Sequence, residues 1–338
     1  MNDKYSRQQL FAPIGHDGQE KIRQAKIFIL GAGALGSSAA EMLARAGVGS
    51  ITIVDRDIIE WTNLHRQQLY TEQNVIDQLP KAIAAERRLR EINRDVNIKG
   101  IIVDVTPENI LELINGHDLI VDATDNIEIR LLANDAAMQL GIPLFMGACV
   151  GSYGLTFPIG IGGDQPCLHC LLETLPSQSL TCDTVGVISP IVVTISARQV
   201  THVLKYITGH AIEPKLESTD LWKGQSASID VKKLKKQNCP SCSSKRTYPF
   251  LRTKDSLKTA VLCGRDTVQL AWPKKRKFNL SLFAQTIEGT VDKLISNHFL
   301  VACEYEGHRI VLFQDGRMLI HGTKNTTQAK KIATKLLG

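Results

Sequence analysis

Apolar positions along this chain alternate between short continuous runs and helical spacing. Residues 26–30, Lys-Ile-Phe-Ile-Leu, have the length and content of a buried strand. A Gly-rich turn follows, then a helix to about residue 46, ended by Gly47 and Gly49. Residues 51–55 read as the next strand, which completes a βαβ unit. The pattern then repeats. A helix is predicted over 81–93, with Ala82, Ala85, Leu89 and Ile92 at helical spacing. Strands follow over 98–103 and 119–122, a helix over 128–140 that stops at Gly141, and a strand over 143–149. This alternation predicts an α/β fold with a doubly wound, Rossmann-like, mostly parallel sheet.

After Gly151 the pattern changes. Gly, Ser, Tyr and Pro become frequent, and 151–161 reads as antiparallel strands. One more helix is predicted over 190–207, closed by Gly209, and 211–245 reads as short strands and loops. A boundary near Thr247 divides the chain into residues 1–246 and a small α+β domain over 247–338. In the latter, 299–313 reads as a hairpin and 326–337 as an amphipathic helix. A length of 338 residues suits one large domain and one small one.

Composition narrows the class. Hydrophobic content of 43% and charge of 22% are those of a globular protein. No apolar run reaches the length of a membrane span, and the polar N-terminus has no signal-peptide core, so a cytoplasmic location is expected. There the eight cysteines should be reduced thiols, metal ligands or catalytic groups. The net charge of +6 is local: Lys232, Lys233, Lys235 and Lys236 form one basic cluster, and Lys274, Lys275, Arg276 and Lys277 another. These read as solvated loops or as a face for an acidic partner. No nucleic-acid-binding module accompanies them.

The turn Gly31-x-Gly33-x-x-Gly36 lies between a strand and a helix, where glycines let the backbone approach a phosphate. Asp55 ends the next strand, the usual place for a carboxylate that takes ribose hydroxyls. NAD and ATP compete for this motif. Asn63, Arg66, Gln67 and Lys81 follow closely and favour ATP, because transfer of AMP builds negative charge that cations stabilise. Asp122-Ala-Thr-Asp125-Asn126 ends a buried strand. Asp125 can hold Mg²⁺ between phosphates, or it can N-cap the following helix.

The pairs Cys167-x-x-Cys170 and Cys239-x-x-Cys242 together supply the four thiolates of a closed structural Zn²⁺ site. Residues 171–238 separate them, so the metal would staple distant segments of one domain. His169 is expected to be a bystander. Cys182, in a polar loop, is a candidate nucleophile, whereas Cys149, Cys263 and Cys303 read as core. The spacing Cys303-x₅-Arg309 suggests an anion-cradling loop, but two glutamates lie within it and Glu306-Gly307 is a natural hairpin tip.

These motifs, with Tyr5-Ser-Arg7-Gln, Thr181-Cys182 and Gly186-Val187, resemble the bacterial ThiF/MoeB/HesA family over roughly residues 4–245. The resemblance implies an ATP-dependent nucleotidyltransferase. Such an enzyme adenylates the C-terminal glycine of a ubiquitin-like sulfur carrier, uses Mg²⁺, and is typically a homodimer. It implies that Gly31, Gly33 and Gly36 line the phosphates and that Asp55 and Asp57 belong to the nucleotide site. Asn63, Arg66, Gln67 and Lys81 would grip the triphosphate, and Asp125 would coordinate Mg²⁺. Arg7 would reach into the partner's site, from a short polar segment expected to need a partner surface to become ordered. Cys182 would take part in a persulfide or acyl-disulfide link. The expected carrier is of the ThiS type, serving thiazole synthesis for thiamine, with a MoaD-type carrier for molybdopterin as the alternative. The tail is no recognisable rhodanese, so sulfur would come from a separate protein such as a cysteine desulfurase. A NAD-dependent oxidoreductase and a non-catalytic zinc-stabilised binding module are the readings from other classes.

Overall fold

The computed structural model describes residues 3–162, 164–172, 185–252, 259–261, 266–271 and 278–337. It divides into two compact units, Met1–Thr253 and Lys254–Gly338.

In the first unit the apolar runs become β1 (Lys26–Leu30), β2 (Ser50–Asp55), β3 (Asn97–Ile102), β4 (Leu119–Asp122) and β5 (Leu144–Val150). These five pair in parallel. The antiparallel strands β6 (Tyr153–Ile159), β7 (Lys215–Asp220) and β8 (Gln225–Asp230) extend the sheet. The order is β3-β2-β1-β4-β5-β6-β7-β8. Helices cover both faces of β1, so Ile27, Phe28 and Ile29 are all fully buried and no polar alternation survives.

Strand order reverses between β1 and β4, which opens a crevice beyond their C-terminal ends. Helix Ala34–Ala46 follows β1 and helix Ile127–Leu140 follows β4. Helix Ser189–Thr208 packs on the first of these: Ser196 Oγ donates to the Leu35 carbonyl at 3.1 Å, and Ile191, Val192 and Ile195 close an apolar cluster with Leu35 and Ala123. On another layer Leu132, Ala133 and Ala136 pack against Phe28, Leu30 and Ile120.

The N-terminal segment departs from expectation. Ser6–Gln9 and Gly15–Gln24 are helical, and contacts within the chain order them. Gln8 Nε2 donates to Gln19 Oε1 (2.7 Å) and to the Ala46 carbonyl (2.9 Å), while Asn93 Nδ2 donates to the Tyr5 hydroxyl (2.8 Å). These contacts lie within the chain itself. The anchors lie far along the chain, so local polarity could not show them.

The second unit is a six-stranded antiparallel sheet of β9 (Thr259–Val261), β10 (Thr267–Leu270), β11 (Asp292–Ser296), β12 (Leu300–Tyr305), β13 (His308–Phe313) and β14 (Met318–His321). The order is β11-β12-β13-β14-β10-β9. Helices Leu280–Ile287 and Thr326–Leu337 pack Ala284, Ile287, Ile332 and Leu336 against Val268, Ile310 and Ile320. Glu306 and Gly307, at φ +48° and +76°, form the β12–β13 hairpin tip, and Cys303 is buried in β12. Cys303 and Arg309 therefore frame a hairpin and no anion loop.

Candidate functional site

The Gly-rich turn leaves β1 with Gly31 at φ +96°, in the left-handed region that favours glycine. A Cβ on Gly36 would lie 1.8 Å from the Gly31 carbonyl oxygen, so only glycine lets the helix start tuck under the turn. Gly33 is the N-cap of helix Ala34–Ala46 and offers no side chain to its first N–H groups. A helix start in this condition is suited to an anion.

Asp55 closes β2 beside this turn. Its Oδ2 accepts the Ala32 N–H and its Oδ1 the Asp57 N–H, each at 2.7 Å. Burial pushes its carboxyl up, and the Lys81 ammonium opposes that shift. Lys81 is only 3% exposed and forms an ion pair with Asp57 Oδ2 at 3.2 Å. It is therefore a built-in charge, not a solvated one. Arg56 pairs with Asp104 Oδ1 at 3.0 Å. Tyr70 donates to the Ala32 carbonyl at 2.6 Å and lies 3.2 Å from the Lys81 carbonyl, which ties the turn to the start of helix Lys81–Ile92. Burial pushes the Tyr70 hydroxyl well above its usual range and keeps it a donor.

Asn63 and Gln67 are buried, yet Asn63 Nδ2 and Gln67 Oε1 have no hydrogen-bond partner among the described residues. Gln67 Nε2 comes within 3.9 Å of where a Gly33 Cβ would stand. Orphaned buried polar atoms beside an uncapped helix start fit a polar ligand. Arg66 is half-buried; its Nη1 donates to the Thr62 carbonyl at 2.6 Å, and it forms no ion pair among the described residues.

At the end of β4, Asp122 Oδ1 accepts the Thr124 N–H (3.0 Å) and hydroxyl (2.7 Å), and Oδ2 pairs with Arg130 Nε at 3.3 Å. Gln199 Nε2 reaches from helix Ser189–Thr208 to the Asp122 and Phe145 carbonyls, both at 2.9 Å, and fixes the ends of β4 and β5. Asp125 does not cap the next helix. Asn126 does, accepting the N–H groups of Glu128 (2.8 Å) and Ile129 (3.2 Å). Asp125 is exposed, and its carboxylate makes no hydrogen bond among the described residues.

The topology thus brings Gly31, Gly33, Gly36, Asp55, Asp57, Lys81 and Asp125 to one edge of the sheet, with Asn63, Arg66 and Gln67 on the segment between β2 and helix Lys81–Ile92. Arg7 is exposed on helix Ser6–Gln9, with no ion pair among the described residues. Cys182, Thr181, Cys263 and the basic cluster 274–277 lie outside the described residues. Tyr70 and Gln199 were missed. Nothing in their local sequence marks them, because their partners lie far away in the chain. Glu217 Oε1, on β7, lies 3.6 Å from His202 Nε2.

A second centre forms where the two cysteine pairs meet. Cys167 Sγ lies 3.6 Å from Cys239 Sγ, Cys170 Sγ lies 3.6 Å from Cys242 Sγ, and all four sulfurs fall within 4.8 Å of one another. Zinc–sulfur bonds of about 2.3 Å put tetrahedral ligands about 3.8 Å apart, so the donors and their spacing fit that ion. His169 is not in the cluster. Hydrogen bonds from Cys167 and Cys242 pull the Cys170 thiol down, while those to Cys170 and Cys242 push Cys167 up. So crowded a set ionises fully only around a cation. The first basic cluster borders this centre: the Lys236 N–H donates to Cys170, and Lys235 pairs with Asp164.

Residues 5–241 match the model of the ThiF family. Over its full length the chain is 52% identical to the sulfur carrier protein ThiS adenylyltransferase of Bacillus subtilis, with 100% of each chain covered. It is 34% identical to a sulfur carrier protein adenylyltransferase of Thermus thermophilus, over 72% of this chain and 92% of that one. It is 31% identical to the ThiS adenylyltransferase of Escherichia coli, over 74% of this chain and 100% of that one. Among solved structures, E. coli MccB with ATP shares the fold at TM-score 0.61 and 23% identity, covering 72% of this chain and 74% of that one. No helix among the described residues is long and apolar enough to cross a membrane.

Proposed function

The chain belongs to the ThiF family, and on that premise we propose that it is an ATP-dependent adenylyltransferase of a ubiquitin-like sulfur carrier of the ThiS type. The observation that carries this reading is full-length likeness to a ThiS adenylyltransferase, together with a crevice that gathers an uncapped helix start, a buried lysine and an exposed aspartate. The carrier's C-terminal carboxylate attacks the α-phosphorus of ATP, the bond to pyrophosphate breaks, and an acyl-adenylate remains. Gly33 and the first N–H groups of helix Ala34–Ala46 face the phosphates. Asp57 holds the Lys81 ammonium, which with Arg66 offsets the charge that builds on the leaving pyrophosphate. Asn63 and Gln67 turn their unsatisfied amide atoms to the nucleotide, and Asp55 stands by the ribose. Asp125 would hold Mg²⁺, which when bound neutralises phosphate charge. The four cysteines would hold a structural Zn²⁺ with no open position. Pyrophosphate exchange measured with a ThiS-type and a MoaD-type carrier tests the choice of partner. Exchange is expected with the former; preference for the latter would assign the molybdopterin branch.

Cys182 is proposed to serve sulfur transfer and not adenylation, since only the former needs a thiolate near the activated glycine. Cys182→Ser should keep pyrophosphate exchange and reduce thiocarboxylate formation with a sulfur donor such as a cysteine desulfurase. Full thiocarboxylate formation by this variant would mean that the donor's persulfide attacks the adenylate directly.

The active unit is proposed to be a homodimer in which exposed Arg7 serves the partner's site. Mixing Arg7→Ala with Lys81→Ala chains should then restore about one intact site per heterodimer, as complementation in trans requires. Mixtures as inactive as either parent would remove Arg7 from that role.

A further inference from the structure

Asn134 and Asp135 are neighbours on helix Ile127–Leu140, and both are fully buried. Each reaches a different cysteine turn. Asn134 Oδ1 accepts the N–H of Leu168, inside the Cys167–Cys170 turn, at 3.0 Å. Asp135 Oδ1 accepts the hydroxyl of Ser241, inside the Cys239–Cys242 turn, and its Oδ2 accepts the Phe250 N–H at 2.9 Å. The Phe250 ring in turn meets the His169 ring edge-on at 6.1 Å, which returns the contact to the first turn. Asn134 Nδ2 lies 3.4 Å from Asp135 Oδ1 and joins the two halves.

An amide and a carboxylate side by side on the buried face of a helix are costly unless each is partnered. Among the described residues, every hydrogen bond these two side chains make beyond the one that joins them goes to a cysteine turn or to the segment just after one, and none of the partners is itself a sulfur. The two turns are distant in sequence, and one pair of adjacent side chains engages both. We infer that Asn134 and Asp135 are positioning residues for the metal centre: they clamp both Cys-x-x-Cys turns so that four sulfurs stand at tetrahedral spacing. This rests on the four-thiolate reading above. Turns held in place lose less conformational freedom when the ion binds, and removal of outer partners of this kind typically weakens metal affinity about 10- to 100-fold.

The test is zinc affinity of the full-length chain, measured by competition with a chromophoric chelator under conditions where circular dichroism shows the fold intact. Asp135→Ala and Asn134→Ala are each expected to weaken zinc binding about 10- to 100-fold. Asp135→Asn should recover part of the loss, because its carbonyl can accept from Phe250 and its amide can donate to Ser241 Oγ. Ser196→Ala, which removes an equally buried hydrogen bond to Leu35 away from the cysteines, should leave zinc affinity unchanged. If Asp135→Ala does not fold, Asp135→Asn and Asn134→Ala decide the matter. Wild-type affinity in the clamp variants, or an equal loss in Ser196→Ala, would overturn the clamp. A wild-type chain that takes up no zinc would instead sink the four-thiolate reading, and the clamp with it.

Discussion

Asp125→Ala is expected to lower carrier-dependent ATP–pyrophosphate exchange by at least about 10²- to 10³-fold, the usual cost of removing one preorganised group that stabilises transition-state charge. Its stability should stay within about 0.5 kcal/mol of wild type, because the residue is exposed and supports no hydrogen bond among the described residues. The neighbouring variant gives the contrast. Asn126→Ala deletes the side chain that caps helix Ile127–Leu140 and should cost about 1 kcal/mol of stability. Adjacent residues would thus separate chemistry from folding. Exchange at the wild-type rate in Asp125→Ala would remove Asp125 from the mechanism.

Loss of a thiolate should have the largest effect on stability. Cys170 and Cys239 are buried, and their sulfurs sit in the same apolar cluster as Leu132, Ala136 and Phe157. Structural zinc sites supply about 10–16 kcal/mol in isolated peptides, and even a fraction of that exceeds the usual cost of a point substitution. Cys239→Ala is therefore expected to lower Tm by roughly 10 °C or more. ATP affinity of the molecules that remain folded should change little, because the closed centre has no catalytic position. Chelation of the wild-type protein should reproduce the shift. Elemental analysis that finds no zinc in protein purified without chelator would contradict this account.

How far these features were legible in the sequence depended on the range of the contacts. Parallel strands buried on both faces read directly as apolar runs, and the lengths of 26–30 and 119–122 match β1 and β4. The Gly-rich turn was legible because glycine is required there by sterics, whatever the ligand. The cysteine pairs were legible from spacing alone, but not the Asn134–Asp135 pair behind them, because an Asn-Asp step in a helix carries no local signal. The choice between Asp125 and Asn126 as helix cap was likewise invisible: both residue types cap well, and one residue of register decides. Lys81 illustrates the same limit. Its place after the second strand pointed to phosphate chemistry, but not to the ion pair with Asp57, two residues past the end of β2, that holds it.

The central claim is that the chain joins AMP to a carrier's terminal carboxylate. Intact-mass spectrometry of a ThiS-type carrier, mixed with the protein, ATP and Mg²⁺, tests this most directly. The account expects the carrier to gain one adenylyl group at its C-terminal glycine while pyrophosphate appears in the medium, and a carrier without that glycine to stay unmodified. An unmodified carrier accompanied by ADP and phosphate, or tight binding of NAD in place of ATP, would contradict it.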